Sequence, residues 1–529
     1  MSLPETEHKL ATHVSAGQCV CGSPALWAGV VVFGTLILGL WTLWEPLGLD
    51  QGIHATIGFA LDQGLLPYRD VYNIKPPMTT VTHWLSQALF GHSFVAIRCF
   101  DLLAVLATAF GVRAVSGRLG LSRPAAALAG LLFASFYYGL TFWEHAQTDG
   151  WAGFLVVAAI LALLRGWGEG RGGWFFLAGA LLGLAFGFKY TIAGTGLLIF
   201  APLLARDPAY LFSWRGFLFF VAGGIAALAA IFSAMAAAGI LADFLEIQRY
   251  ILGYITIEGE SLPLPHLRIV LALARNTLPF LLFLIGLVTL PFTGHVRRFG
   301  LVVLAIWLGT CALSGIAQGK GFEYHYLPIL PPAGIIAASG LRAILSWLPS
   351  DIRTLRFAPL LLAAGLAFST EAPRRSVATV FMLARGEDPV PRWEKDFPLD
   401  HYSFSDMRQL SAMLDELRAP DETLFLWGYD TGIYLLQRTP PRHRYPYSWP
   451  LVVNFHDGRY TQDLLDRLRS SPPDIILVQK QDEVPLVTGH RLDSREMLDA
   501  FPELKSFLTG RYRLLRTLSR YDIWRLDQG

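Results

Sequence analysis

Long uncharged stretches of apolar residues recur along roughly the first 370 residues of the chain. The first, from Ala25 to Trp44, has no charge over about 20 residues, which is long enough for a helix to cross a bilayer. Short polar connections separate the stretches, a pattern that predicts about eleven transmembrane helices. We place these helices near residues 25–47, 94–115, 125–141, 146–164, 174–188, 190–205, 217–240, 272–292, 300–317, 327–345 and 357–371.

The last part of the chain has a different pattern, with shorter apolar runs and more charge. Three short apolar runs, at Leu424–Trp427, Asp474–Val478 and Tyr521–Leu526, predict buried strands. Helical periodicity over Ser405–Arg418 and Thr461–Arg469 predicts helices between them. The predicted fold is therefore a polytopic α-helical membrane protein with a small C-terminal α/β domain. We expect a cytoplasmic N-terminus at 1–24, a transmembrane domain at 25–371 with an outer loop at 48–80, and an extracytoplasmic domain at 372–529.

Basic residues predict the orientation of the chain in the membrane. The connections on one side hold many arginines, for example Arg118, Arg165 and Arg206, whereas those on the other side hold few. The positive-inside rule puts the arginine-rich side and the N-terminus in the cytoplasm. The first apolar stretch lacks a basic leader and a clear small-residue cleavage site, so we expect it to remain as a membrane helix.

Composition agrees with the membrane assignment. The 529 residues are 53% hydrophobic and 16% charged, whereas a soluble protein has about 25% charged residues. A net charge of +2 without a basic cluster excludes a nucleic-acid partner. Cys99 and Cys311 lie in or beside apolar spans and are expected to be small core residues. Cys19 and Cys21 have no nearby His or Cys, so we expect no metal site and no cofactor.

The segment from Asp50 to Pro77 is unusual because it is charged and proline-rich, yet lies between two apolar spans. Charge kept beside a membrane is costly, which favours a functional site. The alternative is a solvated connector between helices. A second polar group, containing Glu144, His145 and Asp149, lies at the outer junction of the third and fourth spans.

Two further polar groups fall on the same predicted side. Lys189 and Tyr190 interrupt an apolar run that is too long for one span and too short for two, so we predict two half-length helices meeting at Lys189. The other group, Gln318–Tyr326, contains Lys320. Together, Arg69, Lys189 and Lys320 could hold a phosphate. Structural roles remain open for each group, and the pair formed by Arg98 and Asp101 is expected to be a structural ion pair.

The order of these motifs resembles that of the clan-C (GT-C) glycosyltransferases that use polyprenyl-phosphate sugars. This group includes protein O-mannosyltransferase relatives and the lipid A aminoarabinose and galacturonosyl transferases. The resemblance covers most of residues 25–345. It rests on Gly64-x-x-Pro67-Tyr68-Arg69-Asp70, Lys75-Pro76-Pro77, Lys189-Tyr190, and Lys320 followed by His325-Tyr326 and Pro328.

The resemblance implies roles for individual residues. Asp50, at the end of the first span, would be the catalytic base. Many relatives have a second acid directly after it, where this chain has Gln51, so Asp149 is the best substitute for that acid. The implied substrate-binding residues are Arg69, Asp70, Lys75, Glu144, His145, Lys189, Tyr190, Lys320, His325 and Tyr326.

The implied reaction moves a sugar from a polyprenyl-phosphate donor to an extracytoplasmic acceptor, which could be an envelope glycan, a lipid such as lipid A, or a protein. The base accepts the proton of the acceptor hydroxyl, cations stabilise the departing phosphate, and attack from the opposite face inverts the anomeric centre. The resemblance implies a multi-pass protein of the bacterial inner membrane with an outward-facing site. Two alternatives stay open, a lipid-linked-sugar flippase and a non-catalytic relative.

Overall fold

The computed structural model describes residues 23–257, 264–294, 296–347, 365, 369–395, 401–456 and 458–527. Between Pro24 and Trp347, the described residues form fourteen α-helices. They are α1 Pro24–Gly39, α2 Leu49–Asp62, α3 Pro77–Phe90, α4 Phe94–Arg118, α5 Arg123–Tyr138, α6 Thr148–Glu169, α7 Gly172–Phe186, α8 Ala201–Ala205, α9 Trp214–Ala237, α10 Leu241–Tyr250, α11 Leu264–Ala274, α12 Thr277–Thr289, α13 Arg298–Ile316 and α14 Leu330–Trp347.

Short 3₁₀-helices extend several of these elements. They are Leu40–Trp44 after α1, Tyr190–Phe200 before α8, Ile251–Thr256 after α10 and Glu323–Ile329 before α14. The predicted helical break is present, because α7 ends at Phe186 and the next helical segment begins directly after Lys189.

The predicted membrane fold is confirmed, but the full-length spans are fewer than the eleven predicted. Within the described residues, six helices are long and apolar enough to cross a membrane, or seven if the bent pair Leu267–Ala274 and Thr277–Thr289 counts as one span. Gly172–Phe186 and Tyr190–Ala205 are apolar but shorter. Most of the predicted span 357–371 lies outside the described residues.

The bundle allows close approach of helix backbones at small residues. A Cβ atom added to Gly179 on α7 would lie 1.8 Å from the carbonyl oxygen of Phe220 on α9. One added to Gly223 would lie 1.9 Å from the carbonyl oxygen of Phe176. Small residues at helix contacts are typical of membrane bundles, where dispersion rather than the hydrophobic effect holds helices together.

The outer segment predicted as a loop at 48–80 is largely helical, which corrects that expectation. Asp50 occupies the first turn of α2, where a carboxylate is favoured by the partial positive charge of the helix N-terminus. Pro77 begins α3, a position where its missing N–H has no helical partner to lose. The loop between the two helices, residues 63–76, returns the chain from the end of α2 to the neighbourhood of Asp50.

The C-terminal region contains a four-stranded sheet in the order β1-β2-β4-β3, with β1 Leu424–Trp427, β2 Ile475–Gln479, β3 Tyr512–Thr517 and β4 Tyr521–Leu526. Strands β1 and β2 are parallel, and the other two pairs are antiparallel. The three predicted strands are therefore confirmed. The predicted helices are also present, as Phe404–Leu417 and Arg459–Ser470.

The C-terminal domain is attached to the end of the bundle that carries Asp50. Thr56 of α2 donates its hydroxyl to the carbonyl of Thr431, and the backbone N–H of Tyr72 bonds to the carbonyl of Arg444. Tyr250, at the end of α10, bonds to the carbonyl of Pro450. These contacts place several segments at the same end of the molecule, and the sequence predicted that these segments face outward.

Candidate functional site

Asp50 and Lys75 form the first acid–lysine pair of the candidate site. The Oδ2 atom of Asp50 lies 3.4 Å from Nζ of Lys75 and accepts a hydrogen bond of 3.2 Å from the hydroxyl of Tyr324. The loop that follows α2 supplies Lys75, and the 3₁₀-helix before α14 supplies Tyr324. The Asp50 side chain keeps 32% of its surface exposed, so a second molecule can reach its carboxylate.

Asp149 and Lys189 form the second pair. The Lys189 Nζ atom lies 3.4 Å from Oδ2 of Asp149, whose side chain is 1% exposed. The other carboxylate oxygen accepts a hydrogen bond of 3.3 Å from the amide of Gln318. Asp149 lies in the first turn of α6, and the helical break before Tyr190 places Lys189 opposite it.

The two pairs belong to one cluster. The charges of Lys75 and Asp50 act on Lys189, and the charges of both carboxylates act on Tyr324. Segments that are more than 270 residues apart in sequence, from Asp50 to Tyr324, therefore meet at one place. The cluster presents two ammonium groups and two carboxylates, an arrangement that can bind an anion and accept a proton.

The cluster includes residues that were not predicted as site residues. Tyr324 and Gln318 fall inside the polar segment Gln318–Tyr326, but neither was chosen from it. The charges of Lys75 and Lys189 also act on the ring of His54. His54 was not predicted as a site residue, because the segment after Asp50 was expected to be a loop. In a helix, a residue four positions after Asp50 lies on the same face, so a prediction of helix there would have selected it.

Arg69 and Asp70 lie outside the cluster, and their substrate-binding role stays a prediction. The two side chains bond to each other through two contacts of 2.9 Å. Arg69 is 49% exposed, and Asp70 also accepts the backbone N–H of Leu66. Their mutual bonding, which lowers the pKa of the Asp70 carboxyl, stabilises the turn after α2.

His145 is buried and bonded within the protein, and its substrate-binding role stays a prediction. Its Nδ1 atom lies 2.7 Å from the Glu45 carboxylate, and its Nε2 donates to the carbonyl of Tyr137. Glu45 also pairs with Arg98 at 3.5 Å. Arg98 therefore has a structural partner, but it is Glu45 rather than the predicted Asp101.

Glu144 is bonded within its own loop. Its carboxylate accepts hydrogen bonds from the backbone N–H and the hydroxyl of Thr141. Burial raises the pKa of Glu144 to about 7, and the charge of Glu323 acts in the same direction. Gln51 supports the same loop, because its amide donates to the carbonyls of Phe142, Trp143 and His145. Gln51 is thus held by hydrogen bonds to backbone carbonyls of this loop.

Four other predicted ligands lie at the border of the cluster. Lys320 donates to the carbonyl of Ile257 at 2.7 Å and lies over the ring of Tyr254. Tyr190 bonds to Gln248 on α10. The His325 ring packs edge-on against Tyr324, and Tyr326 is buried against Gly315 of α13. These four residues contact neighbouring segments of the protein, and their roles as ligands stay predictions.

In the part of the chain that the structure describes, no group of three or more His, Cys, Asp or Glu side chains could hold a metal ion. Cys19 and Cys21 lie outside that part.

Comparison with known proteins gives two kinds of likeness. Residues 74–238 match the family described as dolichyl-phosphate-mannose-protein mannosyltransferase. The fold resembles the crystal structure of ArnT from Cupriavidus metallidurans bound to undecaprenyl phosphate, with a TM-score of 0.61 and 15% identity over 96% of this chain and 98% of that one. The family match and the fold together support the predicted relationship to GT-C-type membrane glycosyltransferases and the predicted enzyme class.

A second solved structure is also similar to this chain. It is the cryo-EM structure of the arabinofuranosyltransferase AftD from Mycobacteria, with a TM-score of 0.49 and 14% identity, over 96% of this chain and 40% of that one. No curated protein matches the sequence of the chain.

Proposed function

We propose that the enzyme transfers a sugar from a polyprenyl-phosphate donor to a hydroxyl group of an extracytoplasmic acceptor, with inversion at C1. The observation that carries the proposal is the pairing of Asp50 with Lys75 next to the pairing of Asp149 with Lys189. One group in this cluster can accept a proton, and two can hold a phosphate. The family match and the lipid bound to ArnT favour a lipid-phosphate donor.

Each of the two lysines pairs with a carboxylate of the protein. A donor phosphate carries the charge that both ammonium groups can bind, so it would compete with Asp50 and Asp149 for them. Movement of Lys75 toward the phosphate would leave the Asp50 carboxylate without its cation. Asp50 would then be better suited to accept a proton, because a nearby positive charge stabilises the ionised form of a carboxylate.

The chemical step needs a base and an anion site. The acceptor oxygen attacks C1 of the sugar while Asp50 takes its proton. The bond between C1 and the phosphate oxygen breaks, and its electron pair stays on the phosphate, whose negative charge increases. Lys75 and Lys189 stabilise that charge, and a positioned base contributes about 10²–10⁴-fold. Attack opposite the leaving phosphate inverts C1.

Asp149 has a different role from the second catalytic acid predicted for it. Its carboxylate is buried and already engaged by Lys189 and Gln318. It is therefore a positioning residue that holds Lys189 at the break before Tyr190. Tyr324 positions Asp50 in the same way, through its hydroxyl.

The proposed location is the bacterial inner membrane, with the cluster and the C-terminal domain on the outer side. The arginine-rich connections on the opposite side of the bundle support this orientation. The acceptor would then be an envelope glycan, a lipid or a protein.

The test is incubation of the purified protein with a panel of polyprenyl-phosphate sugars of known anomeric configuration. We expect one donor to give a product of opposite configuration at C1, measured by NMR of the released glycan. A product that keeps the donor configuration would contradict direct displacement, and the absence of transfer with every donor and acceptor class would contradict the proposed function.

A further inference from the structure

His54 lies one turn along α2 from Asp50 and is 3% exposed. Neither ring nitrogen has a hydrogen-bond partner among the residues that the structure describes. Buried polar groups in native proteins are nearly always paired, and each exception asks for an explanation. A ligand that supplies the missing partner is one such explanation.

The surroundings of His54 indicate which ligand this would be. The charges of Lys75 and Lys189 both act on its ring. Burial lowers the pKa of His54 well below its usual value, and Lys75 lowers it further, so the imidazole is neutral at physiological pH. A neutral imidazole carries one N–H donor. An anion held between the two lysines would accept that N–H.

His83 on α3 fixes the position of the His54 ring. The two rings meet edge to face with their centres 5.5 Å apart, and His83 also packs against Trp151 at 4.9 Å. His83 donates from Nδ1 to the carbonyl of Thr79 at 2.9 Å, which orients its own ring. Among the residues that the structure describes, the His54 ring is therefore held by packing, and its two nitrogen atoms have no hydrogen-bond partner there.

We propose that His54 is a further ligand of the donor phosphate and donates its ring N–H to a phosphate oxygen between Lys75 and Lys189. This inference rests on the proposed function. The phosphate gains negative charge as its bond to C1 breaks, so the hydrogen bond strengthens in the transition state. The contact therefore contributes to turnover as well as to binding. If His54 only packed against His83, its nitrogen atoms would contribute neither to phosphate binding nor to turnover.

The test compares two substitutions that differ in their polar atoms. His54→Phe keeps an aromatic ring against His83 and removes both nitrogens, whereas His54→Gln keeps an N–H donor. We expect His54→Phe to weaken binding of undecaprenyl phosphate and to lower kcat, each by roughly 10- to 100-fold, because a hydrogen bond to a charged group is lost. His54→Gln should retain more of both. Melting temperatures should stay near that of the unmodified enzyme.

His443 provides a matched control. It is also buried, and its Nε2 atom has no hydrogen-bond partner within the described part of the chain, but it packs against Phe425 in the C-terminal domain. We expect His443→Phe to leave undecaprenyl phosphate binding unchanged. If His54→Phe does not fold, His54→Met takes its place in the comparison with His54→Gln.

The possible outcomes separate this inference from the proposed function. Unchanged binding and turnover in His54→Phe, with an active unmodified enzyme, would overturn the role of His54 alone. Equal losses in His54→Phe and His54→Gln, together with lower melting temperatures, would also overturn it, because they would indicate a packing role. An unmodified enzyme that neither binds undecaprenyl phosphate nor transfers sugar would overturn the proposed function, and this inference with it.

Discussion

Lys189 has two possible partners at the scale of single residues. In the structure it pairs with the buried Asp149, and in the proposed reaction it binds the donor phosphate. A lysine near the membrane is costly unless it meets an anion, and the Asp149 carboxylate provides one. The two roles are compatible if phosphate binding weakens the pair, and they can be measured separately.

We predict that Lys189→Met lowers both stability and donor affinity. Stability should fall by about 3 kcal/mol, the lower end of the range for broken buried pairs, because Lys189 itself is 16% exposed. The double variant Lys189→Met with Asp149→Asn removes the unpaired charge, so it should recover stability but not donor affinity. Melting temperature and undecaprenyl phosphate binding are the measurements. Recovery of both by the double variant would reject the phosphate role.

At the residue scale, sequence reasoning identified the charged half of the cluster. Four charged residues were chosen from the sequence because charge beside apolar spans is easy to recognise there. The structure brings them together as two neighbouring pairs, Asp50 with Lys75 and Asp149 with Lys189. Arg69 carries the same signal, yet the structure pairs it with its neighbour Asp70. The choice between a local and a distant partner depends on the direction of each side chain, which the sequence pattern does not contain.

At the scale of elements, α2 connects the cluster to the C-terminal domain. Its first turn carries Asp50, and its middle bonds to Thr431 beside Asp430. Asp430 is 2% exposed, and its Oδ2 accepts the hydroxyl of Tyr521. Its Oδ1 has no hydrogen-bond partner among the described residues. Burial raises the pKa of Asp430 from 3.8 to about 7.

We predict that Asp430 makes the enzyme less stable as pH rises. Between pH 3.8 and about 7, the Asp430 carboxyl keeps its proton in the folded state but has lost it in the unfolded state. The free energy of unfolding therefore falls as pH rises through this window and becomes constant above it. Asp430→Asn stays neutral and should be more stable than the unmodified protein at pH 8, by roughly 1–3 kcal/mol. At pH 4 the difference should be small. Thermal unfolding in detergent at both pH values is the measurement.

Asp482 contributes to the pH dependence with the same sign, since burial raises its pKa to about 6. The Asp430→Asn variant should therefore reduce the pH dependence rather than remove it. Identical pH profiles for the variant and the unmodified protein would show that Asp430 is ionised in the folded state at neutral pH.

Elements with a strong apolar signal were predicted well, and those without one were missed. Strands β1, β2 and β4 have apolar runs, but the edge strand β3 is largely exposed and contains two arginines, Arg513 and Arg516. Helix α2 was read as loop because its charges and the prolines that follow it suggest a connector. Packing against α3 and the C-terminal domain, rather than local pattern, determines its conformation.

At the scale of the whole molecule, the account depends on which side of the membrane carries the cluster. The outer segments and the C-terminal domain occupy the same end of the bundle. One topological measurement therefore fixes the side for all of them. The order of the spans along the sequence predicted that these segments would lie on one side of the membrane, although several spans are shorter than expected.

We predict that a reporter fused after Gly529 reports a location outside the cytoplasm. The physical reason is the concentration of arginine in the connections at the opposite end, which favours retention of that end in the cytoplasm. Alkaline phosphatase should be active at this position, and green fluorescent protein should not fluoresce when exported through the general secretion pathway. The reverse pattern would move the cluster to the cytoplasmic side.

The central claim is that Asp50 accepts the acceptor proton during sugar transfer. Asp50→Asn keeps the size of the side chain but removes its basicity, and Asp62→Asn, on the same helix and with the same 32% exposure, is the matched control. The decisive measurement is kcat for transfer of labelled sugar from the polyprenyl-phosphate donor, with both proteins shown to be folded. We expect Asp50→Asn to lose about 10²–10⁴-fold and Asp62→Asn to remain within a few-fold of the unmodified enzyme. Transfer by Asp50→Asn at nearly the unmodified rate would contradict the account.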